Sequence, residues 1–372
     1  MLAMMIGGMC ASVQAELDGL FAQIDGQPVR TRGVSAQAFS KARMGFSWTV
    51  FTQANERLLG LAQPLIDAHR WNGLRVVAAD GSRLQVSTRA GAHLGAHHYA
   101  FALFLPGAEL TLHASLQPAD GSERQMLFEA LDAVQPDNDL LVLDRGLPGN
   151  TMAAILSQSR RHFCMRVDAT GWKSVRQFLR SGHRETLVTL HAPSTPDARI
   201  YEIDRAPTRV RLIRDVTPTG NVRVLMTSLL DAERYPAAQF GALYHQRWRI
   251  EEAFKRIKHR LRLEAATGLT YLAFQQDFAA KILADNLQRV LTAPALPNDE
   301  TTSTKRTNRT YAIGALKPIL AGCLLQLAYC LSALPAALAA SARAICRVKR
   351  GRTYPRPPRT KPHLHLAYKS AC

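Results

Sequence analysis

Between Leu74 and Asp168 the chain alternates short apolar runs with turns and helical stretches, and this rhythm leaves few folds open. Leu74–Ala79 is a strand-like run that ends at Asp80-Gly81, with Leu84 and Val86 resuming the alternation. Tyr99–Pro106 and Glu109–Pro118 read as two further strands. A helix is expected over Gly121–Val134, with Met126, Leu127, Ala130 and Leu131 on one face. Leu140–Leu143 is a fourth strand ending at Asp144. A turn, a helix near Met152–Arg160 and a fifth strand over His162–Asp168 follow. Three consecutive strands followed by alternating helix and strand imply an α/β fold, a mixed sheet covered by helices.

The flanks have their own patterns. From about Gln14 to His69 the spacing is helical, and Ser35 is placed to cap a short helix exposing Gln37, Lys41 and Arg43. Such a module suits DNA contact, or serves as a plain lead-in to the core. Between about Thr170 and Leu230 the runs ETLVTLHA, TRVRLIRDV and VRVLMTSLL read as an all-β insertion, with hardly a helical stretch after Phe178. Helices return at Tyr235. The expected organisation is a helical region over 1–70, a core in two parts (71–169 and 235–340) around a β-rich insertion (170–234), and a basic tail over 341–372.

Charge narrows the function. The chain has 47 Lys and Arg against 29 Asp and Glu, a net charge of +18, and nine of those cations with no acid lie in Ser341–Cys372. A polyanion is the natural partner, because released counterions supply much of the affinity for a phosphate backbone. The six cysteines show no paired spacing, which argues against a zinc finger or disulfide framework and for a reducing cytoplasm. Met1–Ala15 is apolar and ends in a Val-x-Ala step, but no Lys or Arg precedes the apolar run, so secretion is not expected. Ile319–Ala340 is long enough to span a bilayer. Its Ala and Gly content, Pro335 and the soluble character of the rest favour a buried core helix, so no membrane partner is expected.

Asp80 and Asp144 share one placement, each the first acid after an apolar run. Neighbouring strands would bring both to one edge of a sheet, where like charges repel unless a cation neutralises them. Oxygen ligands without thiolate or imidazole suit Mg²⁺ or Mn²⁺. A sharper pattern lies in YHQRWRIEEAFKRIKHRL, Tyr244–Leu261. On a continuous helix Tyr244, Arg247, Glu251 and Lys258 fall within an arc of about 60°. Leu243, Ile250, Phe254, Ile257 and Leu261 form an apolar stripe beside them, and Arg249, Glu252, Arg256 and Arg260 take the far, solvated side. An ordinary i,i+4 ion pair accounts for Arg247 with Glu251. It gives no reason for Tyr244 and Lys258 to join them.

Tyr244-x2-Arg247-x3-Glu251-x6-Lys258 has the spacing of the YREK signature of DDE transposases of the insertion-sequence-four type. Asp80-Gly81-Ser82 resembles the first catalytic motif of that family and Asp144-Arg145-Gly146 the second; Leu147 stands where an aromatic is usual. The likeness runs from about Leu74 to Leu291. It implies an RNase H-like mixed sheet flanked by helices, with the β insertion between the fifth strand and the Glu251 helix, and an N-terminal helical region. It implies Asp80, Asp144 and Glu251 as catalytic metal ligands for two Mg²⁺ ions, with Mn²⁺ a substitute, roughly 3.5–4 Å apart. Tyr244, Arg247 and Lys258 are implied DNA-binding residues, Arg247 and Lys258 on phosphates and Tyr244 on a phosphate or an unpaired base. The partners implied are double-stranded DNA, the terminal inverted repeats of the element and target DNA, met by a homodimer in the cytoplasm at the nucleoid. The alternative is an inactive relative that only binds DNA. His93, His97 and His98 lack a clear fourth ligand and read as surface histidines in a Gly/Ala-rich loop. Trp248 reads as core or rim.

Overall fold

The computed structural model describes residues 1–86, 97–217, 220–268, 270–293 and 305–347. Eight strands form one sheet: β1 (Arg75–Gln85), β2 (His97–Leu105), β3 (Leu110–Pro118), β4 (Asp139–Leu143), β5 (His162–Val167), β6 (Glu185–Leu190), β7 (Thr208–Val216) and β8 (Val222–Thr227). Their order is β3-β2-β1-β4-β5-β8-β7-β6. β1 runs antiparallel to β2 and parallel to β4, which is parallel to β5. This is the RNase H-like mixed sheet, flanked by helices. The three strands of the expected insertion continue the same sheet beyond β5, all antiparallel. That stretch also carries a helix the apolar pattern did not show, Thr195–Ile200, capped by the Ser194 side chain.

Alternation along the strands sorts the core into two faces. Val77, Ala79, Leu141, Leu143, Phe163 and Met165 pack with Met126, Leu127 and Leu156 on one side. On the other, Ala78, Ala100 and Ala102 meet Ile250, Phe254 and Ile257 of the Trp248–Arg260 helix, together with Phe274 and Phe278 of the Tyr271–Thr292 helix. The apolar stripe read from sequence is therefore buried. Truncating a member such as Ile250 to alanine costs about 2–5 kcal/mol.

Several expectations are corrected. Arg43 closes the Ala36–Arg43 helix capped by Ser35, but it is buried, bonded to Asp277 at 2.9 Å and to Gln276 and Thr267. The helix is amphipathic and its last turn faces the core, leaving Gln37 and Lys41 exposed. Arg256 pairs with buried Asp285 at 2.8 Å, and Arg249 donates to the Pro106 carbonyl, so the far side of the Glu251 helix is covered there. His98 lies in β2, not in a loop; it is buried and stacked on Tyr271 because alternation turns it inward. His97 is exposed. His93 and nearly all of the basic tail lie outside the described residues. Ile319–Ala340 is divided between two helices, Arg309–Leu324 and Ala328–Arg343, with Gln326 at φ 58° in the connection. The second helix is largely exposed, not buried in the core. Among the described residues no helix is long and apolar enough to cross a membrane.

Candidate active site

Asp80 does not end its strand. β4 pairs with β1 only over Arg75–Ala78, then stops at Leu143, whereas β1 continues along β2 through Gln85. The sheet splits at this point, with Asp80 on one lip and Asp144 just past β4 on the other. Both keep the parity of Val76, Ala78, Leu140 and Val142, which directs them to the face covered by the Glu251 helix.

That helix is not continuous with the segment before it. Phe240–His245 and Trp248–Arg260 are separate helices, and the junction is stitched by bonds three residues apart, Arg247 N to Tyr244 O and Ile250 N to Arg247 O, at 3.1 Å each. The tighter winding still leaves Tyr244, Arg247 and Glu251 facing the split. Arg247 is the hub. Its Nη2 donates to Glu251 Oε1 at 2.7 Å and stands 4.0 Å from Asp144 Oδ2, while Nη1 is 3.6 Å from Asp80 Oδ2. The residue is 4% exposed, and among the described residues neither Nε nor Nη1 has a hydrogen-bond acceptor. Burial opposes its charge, but Asp144 and the other acids more than offset that and raise its pKa. Tyr244 donates from its hydroxyl to Asp144 Oδ1 at 3.1 Å. Its ring is buried, with the Arg223 guanidinium 4.8 Å from the centroid. Burial pushes the Asp80 carboxyl up to about 7, against Arg247 and with help from Glu123 and Glu251.

Residues 71–287 match the family model described as the transposase DDE domain. The chain belongs to the DDE transposase family. It is 30% identical over 190 residues to the transposase InsG for insertion sequence element IS4 of Escherichia coli (strain K12), a stretch that covers 49% of this chain and 42% of that protein. The match spans less than half of that curated relative. The chain is also similar to a piggyBac transposase solved by cryo-EM in a synaptic complex with hairpin DNA. That likeness has a TM-score of 0.41 at 10% identity, covering 71% of this chain and 57% of the other.

Lys258 of the transposase signature stands apart from the hub. Its Nζ donates to the Arg83 carbonyl at 2.6 Å and lies 3.8 Å from Glu264, tying the helix to the far part of β1. Trp248, beside Arg247, is 43% exposed at the rim. Leu147 is buried in the core beneath the second acid. Two residues at the site escaped the sequence reading, Glu123 and Tyr99. Their only sequence signal was Gly81, the glycine after the first acid, which leaves space where a side chain would stand.

Proposed function

We propose that this transposase cuts DNA and joins its strands at the ends of an insertion sequence, with Asp80, Asp144 and Glu251 as the acids that hold divalent ions. The observation that carries the reading is the convergence of three carboxylates, from β1, the end of β4 and the Trp248–Arg260 helix, on one buried guanidinium.

The donor set fits such ions. All the donors are carboxylate oxygens, the preference of Mg²⁺ and Mn²⁺. Among the described residues no three acids already stand at ion-holding separation. The cation among them is Arg247, whose Nε and Nη1 are buried without acceptors among the described residues, so it balances their charge without satisfying its own bonding there. Bound ions would supply the Lewis acidity that activates water or a 3′ hydroxyl and stabilises the leaving oxygen. The protein's own groups prepare the place. Tyr244 orients Asp144, Lys258 anchors the helix to β1, and Arg247 offers a planar fork suited to a phosphate once the acids have another counter-charge. In this reading the substrates are the terminal inverted repeats of the element and target DNA, and two copies of the chain hold the paired ends.

The test is to incubate the protein with Mg²⁺ and a duplex carrying the repeats that flank its gene, alongside Glu251→Gln. Cleavage at the element boundary that needs both the metal and Glu251 supports the reading. Binding without cleavage, in Mn²⁺ as well, would leave a DNA-binding relic.

A further inference from the structure

Behind the acids, on the side of the sheet that faces away from the Glu251 helix, a fourth carboxylate reaches the split. Glu123 opens the Glu123–Glu129 helix and is half-buried. A Cβ placed on Gly81 would lie 2.5 Å from Glu123 Oε1 and 2.5 Å from the Tyr99 hydroxyl, and one on Gly146 would lie 3.7 Å from Glu123 Oε2. One carboxylate therefore sits between the residue after Asp80 and the second residue after Asp144. Neither glycine has a positive φ, so what Gly81 provides is room for Glu123 and Tyr99, not a special backbone conformation. Tyr99, opposite Arg83 in the β1–β2 register, brings its hydroxyl to the same place beside Gly81 as Glu123 Oε1.

Glu123 therefore reaches both segments that carry the acids, the one after Asp80 and the one after Asp144, and sets a further negative charge beside them.

We propose that Glu123, held by Tyr99, is a positioning residue of the centre, one that braces the two acid-bearing segments against each other and deepens the negative field that draws in divalent ions. This rests on the triad being the ion-holding set. Carboxylates just outside a metal's ligands commonly control affinity by 10–100-fold.

The test is Mn²⁺ binding to the full chain, followed by paramagnetic resonance of the free ion, for the wild type, Glu123→Gln, Tyr99→Phe and Asp80→Asn, with urea midpoints measured without metal. Glu123→Gln is expected to bind Mn²⁺ about tenfold more weakly. Tyr99→Phe should shift affinity the same way by less, and both should keep wild-type urea midpoints. Wild-type affinity in Glu123→Gln, beside lost binding in Asp80→Asn, overturns the role of Glu123 and leaves the triad standing. Affinity that falls only in step with the urea midpoint in both variants also overturns it, since Glu123 then merely supports the fold. Absence of Mn²⁺ binding by the wild type retires the ion-holding triad itself.

Discussion

Arg247 donates to Glu251 at 2.7 Å one turn along the chain, and the same guanidinium is the counter-charge for Asp80 and Asp144. Removing it leaves three acids at one split in the sheet. Because Asp144 and Glu251 keep partial access to water, the cost is well below that of a fully buried pair. Arg247→Gln is expected to lower metal-free stability by about 2 kcal/mol. Mn²⁺ should then raise the melting temperature more in the variant than in the wild type, because the ion no longer competes with the guanidinium. Equal shifts would show that Arg247 and the ion do not share a place.

Asp80 makes the metal-free protein sensitive to pH. Its folded pKa is raised to about 7, above the ordinary carboxylate value, so between about pH 4 and pH 7 the folded state holds a proton that the unfolded state has lost. Stability therefore falls as pH rises through that window, by at most about 1.4 kcal/mol per unit, and levels off above it. Urea denaturation at pH 5 and pH 7.5 should show this slope in the wild type, and Asp80→Asn should remove it. An identical slope in the variant would assign the effect to another group.

The first five strands, the acids that flank the split and the buried stripe of the Glu251 helix were legible in the sequence because each follows a simple period. What was not legible required contacts between distant segments. Arg43 looked like a surface cation on a basic helix, and only the arrival of Asp277, far along the chain, makes it a core residue. Asp285 does the same for Arg256. The Thr195–Ile200 helix carries no apolar period, and its signal is the capping pattern of Ser194 followed by Thr-Pro-Asp. Glu123 lies 43 positions from Asp80, on another element, and no local spacing connects them.

Tyr244 divides two roles that sequence spacing cannot separate. With its ring buried and its hydroxyl on Asp144, it is placed to orient that acid. Tyr244→Phe keeps the ring and loses one hydrogen bond, so stability should fall by only about 1 kcal/mol. Cleavage should slow by about tenfold while affinity for the end duplex stays at the wild-type value. A weakened affinity with an unchanged cleavage rate at saturating DNA would instead make Tyr244 a nucleic-acid contact.

Lys41 and Arg43 stand two positions apart on one short helix and should behave oppositely. Arg43 is enclosed by Asp277, Gln276, Thr267 and the Ala273 carbonyl. Its removal strands a buried carboxylate, which costs about 3 kcal/mol. Lys41 is exposed in the last turn and makes no ion pair among the described residues. If the N-terminal helices meet DNA, Lys41→Ala should leave the urea midpoint unchanged and reduce the slope of log affinity against log salt by about 0.9, the loss of one phosphate contact. Arg43→Ala should lower the midpoint and, at temperatures where it remains folded, keep the wild-type salt slope. An unaltered slope in Lys41→Ala would remove this helix from the DNA-binding surface, and a reduced slope in folded Arg43→Ala would mean that the guanidinium leaves its pocket when DNA binds.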